Sequence, residues 1–421
     1  MLARAAYSTL LRLATPLYLA RLWWRGRREP AYRLAWAERL GVPRGPQQAG
    51  RLWLHAVSLG ETLAAAALVD ALRQQQPGLR LLLTHGTATG REAGRALLRD
   101  GDAQCWLPYD TPGAVLRFLR AHRPAVGVLM ETEVWPNLLA AARDAGVPMV
   151  LANARLSQRS LDKGLRLAAL MRPAAAVFTR VLAQTEDDAR RLREIGATSV
   201  EVLGNLKFDL TPDAAQLAQG RHWRAAAGRA VVLAAITREG EEAPLLQAWG
   251  LLPAPRPLLL VVPRHPQRFD EAAGLVAATG LSLVRRSAWA NAPPPGAATA
   301  DVWLGDSLGE MALYYGMADV ALLGGSFAPL GGHNLIEAAA CGCPLLMGPH
   351  TFNFLQAAQW AESAGAAQRV ADLPAAVVRA VALCADPGLP AWAARALAFA
   401  AQHRGAAQRM ARAVLALRRL D

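Results

Sequence analysis

Lysine is nearly absent from this chain: of its 46 basic residues only Lys163 and Lys207 are not arginine. Codon usage is enough to explain that bias. Cysteine is scarce too, and Cys105, Cys341, Cys343 and Cys384 show no paired spacing of a disulfide framework or a zinc site. Cys341 and Cys343 stand too close for ordinary metal-ligand spacing and fit as small buried groups. A reducing cytoplasm is the simplest setting. The acidic pairs Asp187-Asp188 and Asp301/Asp306 lack the offsets of a cation loop, so neither a metal nor a cofactor is expected.

Long uncharged apolar runs are missing as well. Met1 to Trp24 is apolar, but Arg4, Arg12 and Arg21 break it, and its longest run between arginines is Leu13 to Ala20. A membrane span needs about 20 apolar residues, so an interfacial helix fits better. A short span with snorkelling arginines and a helix packed on the protein itself are the alternatives. No small-residue cleavage site follows, which argues against a signal peptide. Tyr18, Trp23 and Trp24 suit the headgroup region, and Arg25, Arg27 and Arg28 can pair with lipid phosphates. The formal charge is +13, and Met1 to Arg51 carries ten arginines against Glu29 and Glu38. A surplus concentrated there points to an anionic membrane surface. No nucleic-acid motif accompanies it, so nucleic acid is not an expected partner.

With 421 residues, 53% of them hydrophobic and 19% charged, the chain exceeds what one core fills, a limit of roughly 250–300 residues. Strands and helices alternate from Arg51 onward, the pattern of a parallel sheet covered on both faces. Strands are expected near Leu52–Val57, Leu79–Thr84, Val126–Met130, Met149–Ala152, Val181–Gln184 and Val200–Leu203. A polar, alanine-rich stretch from Asp209 to Gly220 marks a boundary, and a second alternating series follows. Its strands are expected at Ala230–Ala235, Leu258–Val262, Asp301–Leu304, Val320–Leu323 and Leu345–Met347. The expected parts are an N-terminal segment, 1–30, a first domain, 31–210, and a second, 211–421. Terminal helices, Ala391 to Leu420, are counted with the second domain, though they could cross back onto the first.

The stretch the chain is organised around is Gly324 to Pro349, GGSFAPLGGHNLIEAAACGCPLLMGP. It reads as strand, glycine-rich loop and helix, closing a βαβ unit where open parallel sheets bind ligands. Gly324, Gly325 and the second glycine pair let the backbone approach a ligand, and the helix start suits a phosphate or carboxylate. Ser326 and His333 lie on that loop, and Glu337 could accept from ribose hydroxyls. A tight turn with a cap at Asn334 is the alternative.

Other strand ends carry further candidates. Ser58, Gly60 and Glu61 begin the first long helix, where Ser58 and Glu61 have the spacing of a capping box. An ionised Glu61 facing a cleft could equally act as general base. Glu131 and Glu133 follow another strand and could orient an amino sugar or hold basic side chains. Arg155 and Lys207, also after strands, could meet anionic acceptor groups. Pro263 and Arg264 end a strand in the second series, with a guanidinium fork suited to phosphate. Leu308, Gly309 and Glu310 lie in a GDSLGEM segment that opens a helix.

Taken together, RLWWRGRREPAYR, SLGETLAA, PYDTPGAV, ETEVWPNL, NARLSQRS, GNLKFD, PRHPQRF, GDSLGEM, GGSFAPLGGHN and MGPHTFNF resemble the Kdo transferases, over nearly the whole chain. These enzymes move 3-deoxy-D-manno-octulosonic acid (Kdo) from CMP-Kdo to a lipid A precursor. The resemblance implies an α/β fold of glycosyltransferase-B type, with two Rossmann-like domains facing a central cleft, acceptor in the first and donor in the second. It implies Glu61 as the base, and Pro263, Arg264, Leu308, Gly309, Glu310, Asn334, Leu335, Ile336 and Glu337 as CMP contacts. It also implies attachment to the cytoplasmic face of the bacterial inner membrane. Two departures stand out: Ala235-Ile236-Thr237-Arg238, where a serine, a threonine and a histidine are usual, and Leu335 in place of proline. A UDP-sugar enzyme of the same fold and a membrane-tethered nucleotide-sugar binder without catalysis are the alternatives.

Overall fold

The computed structural model describes residues 2–45, 47–289 and 292–418. Two compact units emerge: residues up to Asp209 together with those from Arg404 on, and Leu210–His403. Each is built on one seven-stranded sheet whose pairings are all parallel.

In the first unit the strands are β1 (Leu52–His55), β2 (Leu81–His85), β3 (Ala103–Trp106), β4 (Val126–Met130), β5 (Met149–Ala154), β6 (Arg180–Ala183) and β7 (Val200–Val202). Their order is β3-β2-β1-β4-β5-β6-β7. Parallel strands covered by helices bury both faces, so their sequences run apolar without alternation. The period of two survives in the packing. Leu52 and Leu54 of β1 join the core under helix Leu59–Gln75, while Trp53 between them joins the core on the opposite face with Phe118 and Leu138. Strand order reverses between β1 and β4, and in open α/β sheets ligands bind at the carboxyl ends of such a switch point.

The second unit contains β8 (Val231–Thr237), β9 (Leu258–Pro263), β10 (Leu283–Arg285), β11 (Val302–Leu304), β12 (Val320–Leu323), β13 (Leu345–Met347) and β14 (Ala367–Arg369). Their order is β10-β11-β9-β8-β12-β13-β14, so the switch point lies between β8 and β12. The glycine-rich loop leaves the end of β12.

Three short strands, β3, β10 and β14, went unread in the sequence. All lie at or next to sheet edges, and β10 is only half-buried, so their apolar signal is weak. The stretch Asp209–Gly220 is not all linker, because helix Ala214–Ala226 begins within it, capped by Asp213. The assignment of the C-terminal helices to the second domain needs correction. Helix Leu389–Gln402 stays with the second unit, whereas helix Ala406–Leu415 returns to the first. Met410 and Val414 fill the core beside helix Leu59–Gln75, and Asp209 accepts the amides of Gly405 and Ala407. The expected end at Leu420 lies outside the described residues, as does Met1.

Helix Leu2–Arg25 docks on the first unit by one face. Tyr7 donates to Asp110 at 3.0 Å and Tyr18 stacks on Tyr109. Leu10, Leu13, Leu17 and Trp24 remain exposed on it. Among the described residues no single helix is long and apolar enough to cross a membrane.

Candidate active site

At the carboxyl edge of the first sheet, β1 runs into the helix that carries Glu61. Ser58 caps this helix by accepting the Glu61 amide, one half of the capping box expected from the sequence, while the Glu61 side chain reaches back one residue further, to Val57. Glu61 Oε2 accepts the Val57 amide at 2.7 Å and Oε1 accepts the Ser58 hydroxyl at 3.2 Å. The carboxylate is thus turned toward its own helix start. It stays half-exposed, and a carboxylate offers about four lone-pair sites, so acceptor capacity remains. Burial raises the Glu61 pKa, the Val57 amide opposes that, and the charge of Glu131 adds to it. Gly60 is exposed in the same first turn.

Across the switch point, Glu131 directly follows β4 with φ +58°. Its buried side chain pairs with Arg155, Nε to Oε2 at 2.8 Å, so of the two expected roles Glu131 takes that of holding a basic side chain. Glu133, two residues on, is pushed up to about 7 by burial, with the charges of Glu61 and Glu131 adding. Lys207 is lowered by burial, with Glu131 opposing. The loops bearing Arg155 and Lys207 are stitched together by Asn153. Its Oδ1 accepts the Leu206 amide at 3.1 Å, and its carbonyl accepts Gln184 Nε2 at 2.9 Å. Glu61, Glu131, Glu133, Arg155 and Lys207 therefore share one electrostatic environment.

In the second unit, β9 ends at Pro263, and Arg264 follows. Arg264 donates to Nε2 of His333, which joins the PRHP segment to the glycine-rich loop. Burial lowers the Arg264 pKa, and the nearby charge of Arg238 lowers it further, so two guanidinium groups lie close together. An anion would relieve that repulsion.

The glycine-rich loop is held by a residue that the sequence reading missed. Glu241, buried at the helix start after β8, takes two amides on Oε2, from Gly325 at 2.7 Å and Arg238 at 2.9 Å. Its Oε1 takes those of Phe327 and Ala328 at 3.2 and 3.3 Å. The signal was present in Glu239-Gly-Glu241-Glu242 immediately after a strand. Gly324 has no room for a side chain, since a Cβ there would lie 2.3 Å from the Ile236 carbonyl. Ile236 itself adopts φ +60°, where a β-branched residue is strained by about 1–3 kcal/mol. Ser326 is buried and its hydroxyl accepts the Gly348 amide at 2.8 Å.

The carried-over donor contacts divide. Gly309 and Glu337 line one cavity of about 360 Å³, together with Thr211, Asp213, Gln216 and Met311. Gln216 Nε2 donates to the Gly309 carbonyl at 3.0 Å, and burial raises the Glu337 pKa. Glu310 instead accepts Arg286 at 2.8 Å and the Ser307 hydroxyl, while Leu308 is exposed. Asn334 caps helix Leu335–Ala340 by accepting the Ile336 amide. The side chains of Leu335 and Ile336 are buried, so only their backbone is available to a ligand. Among the described residues no group of three or more His, Cys, Asp and Glu could hold a metal ion.

Two such units, each with a seven-stranded parallel sheet and a switch point, have the architecture of the glycosyltransferase-B fold. The fold agrees with solved structures at identities that speak for architecture alone. A glycosyltransferase from Rickettsia africae aligns at 10% identity and TM-score 0.59, covering 87% of this chain and 99% of that one. MurG from Acinetobacter baumannii aligns at 15% and 0.53, covering 88% and 100%. Residues 34–210 match the family described as 3-deoxy-D-manno-octulosonic-acid transferase. The 3-deoxy-D-manno-octulosonic acid transferase of Bordetella pertussis is 49% identical over 97% of this chain and 98% of its own length. That of Haemophilus influenzae is 36% identical over 83% of each. The chain belongs to the Kdo transferase family and is a glycosyltransferase.

Proposed function

We propose that this enzyme transfers Kdo from CMP-Kdo to the 6′-hydroxyl of the glucosamine disaccharide of a tetraacylated lipid A precursor, with inversion at the anomeric carbon. Glu61 removes the hydroxyl proton as the oxygen attacks. The bond from the anomeric carbon to phosphate breaks through an oxocarbenium-like state, and CMP leaves with the electron pair. The observation that carries this reading is the half-exposed Glu61 carboxylate, with its pKa raised by burial, beside Glu131, Glu133, Arg155 and Lys207. A base works best when its pKa approaches the working pH.

In this reading the first unit takes the acceptor and the second the nucleotide. Arg264, with Arg238 beside it, stabilises the charge growing on the phosphate. Helix Leu335–Ala340 spans less than two turns, so its dipole adds little, and the guanidinium groups and loop amides carry most of this work. Glu337 accepts from the ribose, and no metal or cofactor takes part. Water exclusion protects a labile donor.

The N-terminal helix rests on the cytoplasmic face of the inner membrane through its exposed leucines and Trp24. Incubating the purified enzyme with lipid A precursor and either CMP-Kdo or UDP-sugars tests the assignment. Mass spectrometry should show Kdo addition with CMP-Kdo alone, and turnover of UDP-sugars only would overturn it.

A further inference from the structure

The acidic loop Glu131–Trp135 is fixed at one end by the sheet, where the Glu131 amide donates to the Ala152 carbonyl at 2.9 Å. Its other end runs into helix Pro136–Asp144, which has no side-chain cap from Trp135 and starts with proline. The missing cap comes from a distant residue. Asp110 Oδ2 accepts the Asn137 amide at 3.0 Å and Oδ1 accepts the Leu138 amide at 2.7 Å. Asn137 returns the contact, with Nδ2 donating to the Asp110 carbonyl at 2.7 Å.

Two side chains of helix Leu2–Arg25 complete this network. Tyr7 donates to Asp110 Oδ2 at 3.0 Å, and the Ser8 hydroxyl shares its one proton between its own helix, at the Arg4 carbonyl 2.7 Å away, and Asn137 Oδ1 at 3.0 Å. Ser8, Asp110 and Asn137 are 6%, 3% and 4% exposed, so water cannot substitute for a lost partner. A cap alone would need only Asp110. The added hydroxyls come from a helix whose free face leaves Leu13 and Leu17 both 73% exposed.

We propose that Asp110 and Asn137 are positioning residues that tie the acidic loop Glu131–Trp135 to the N-terminal helix, so that seating of this helix sets the loop for the acceptor. The acceptor half of this inference rests on the function proposed above; the mechanical half does not. Misplacement of a reacting group by about 1 Å can cost about a hundredfold in rate, so loosening one end of the loop is enough to register.

The test is the double variant Tyr7→Phe/Ser8→Ala in the full-length enzyme, which keeps the Asp110 cap and cuts only the link to the helix. Hydrogen exchange over residues 131–138 should accelerate, with the glycine-rich loop unchanged. Acceptor kcat/KM should fall about tenfold or more, with KM for CMP-Kdo unaltered, and Tyr7→Phe/Ser8→Thr should recover most of the loss. Unchanged exchange over residues 131–138 would overturn the coupling, even if the acceptor assignment failed. Faster exchange with wild-type acceptor kinetics, or equal losses toward both substrates, would overturn the positioning role.

Discussion

The carboxylate of Glu241 accepts the backbone amide of Gly325 at 2.7 Å, and through it and the amides of Phe327 and Ala328 a buried side chain sets the course of the glycine-rich loop. Glu241→Ala leaves these donors without their acceptor, and an unsatisfied buried donor costs about 1–3 kcal/mol. CMP affinity measured by calorimetry should fall about tenfold or more, with a lowered melting temperature, and Glu241→Gln should lie between. Wild-type CMP affinity in Glu241→Ala would show that loop shape does not govern the nucleotide site.

Much of this architecture was legible in advance because parallel strands buried on both faces announce themselves as apolar runs. The ends of β1, β4, β9 and β12, where Glu61, Glu131, Arg264 and Gly324 stand, could be found that way. Edge strands such as β10 could not, since a half-buried strand of Leu-Val-Arg looks like any loop. Glu241 escaped notice for a different reason: an acidic residue in a helix's first turn reads as a dipole partner, and its role depends on a loop 84 residues away. The return of helix Ala406–Leu415 to the first unit was likewise invisible as a fixed assignment, because an alanine-rich amphipathic pattern does not name the sheet it covers.

Arg264 supplies a planar fork that lysine cannot reproduce. Arg264→Lys should therefore weaken CMP binding about tenfold, and Arg264→Ala should weaken it further and flatten its salt dependence. Transfer by the wild-type enzyme should continue unchanged in excess chelator. A lysine variant binding CMP like wild type, or loss of activity on chelation, would contradict the arginine-centred account.

Glu133 titrates near 7 because burial and its acidic neighbours favour its protonated form. A folded-state pKa raised above the unfolded value means that the stabilisation is complete below the unfolded carboxylate pKa, about 4, and is lost as pH rises through about 7. Asp110, raised to about 6 by burial, contributes in the same direction. Denaturant midpoints between pH 4 and 8 should fall less for Glu133→Gln than for wild type. Parallel curves would remove Glu133 from the cluster.

The exposed leucines of helix Leu2–Arg25 should govern membrane attachment. Replacing Leu10, Leu13 and Leu17 by serine should release the enzyme from anionic vesicles while leaving CMP affinity intact. Undiminished vesicle binding would move the attachment site elsewhere.

Glutamine at position 61 can still accept the Val57 amide, and its own backbone amide still reaches the Ser58 hydroxyl, so the helix start is preserved and the base is separated from the cap. Single-turnover transfer of Kdo to lipid A precursor by Glu61→Gln should be slower by about 10²–10⁴-fold, with melting temperature and CMP affinity as in wild type. Transfer at the wild-type rate would contradict the account, since it would leave Glu61 a capping residue and nothing more.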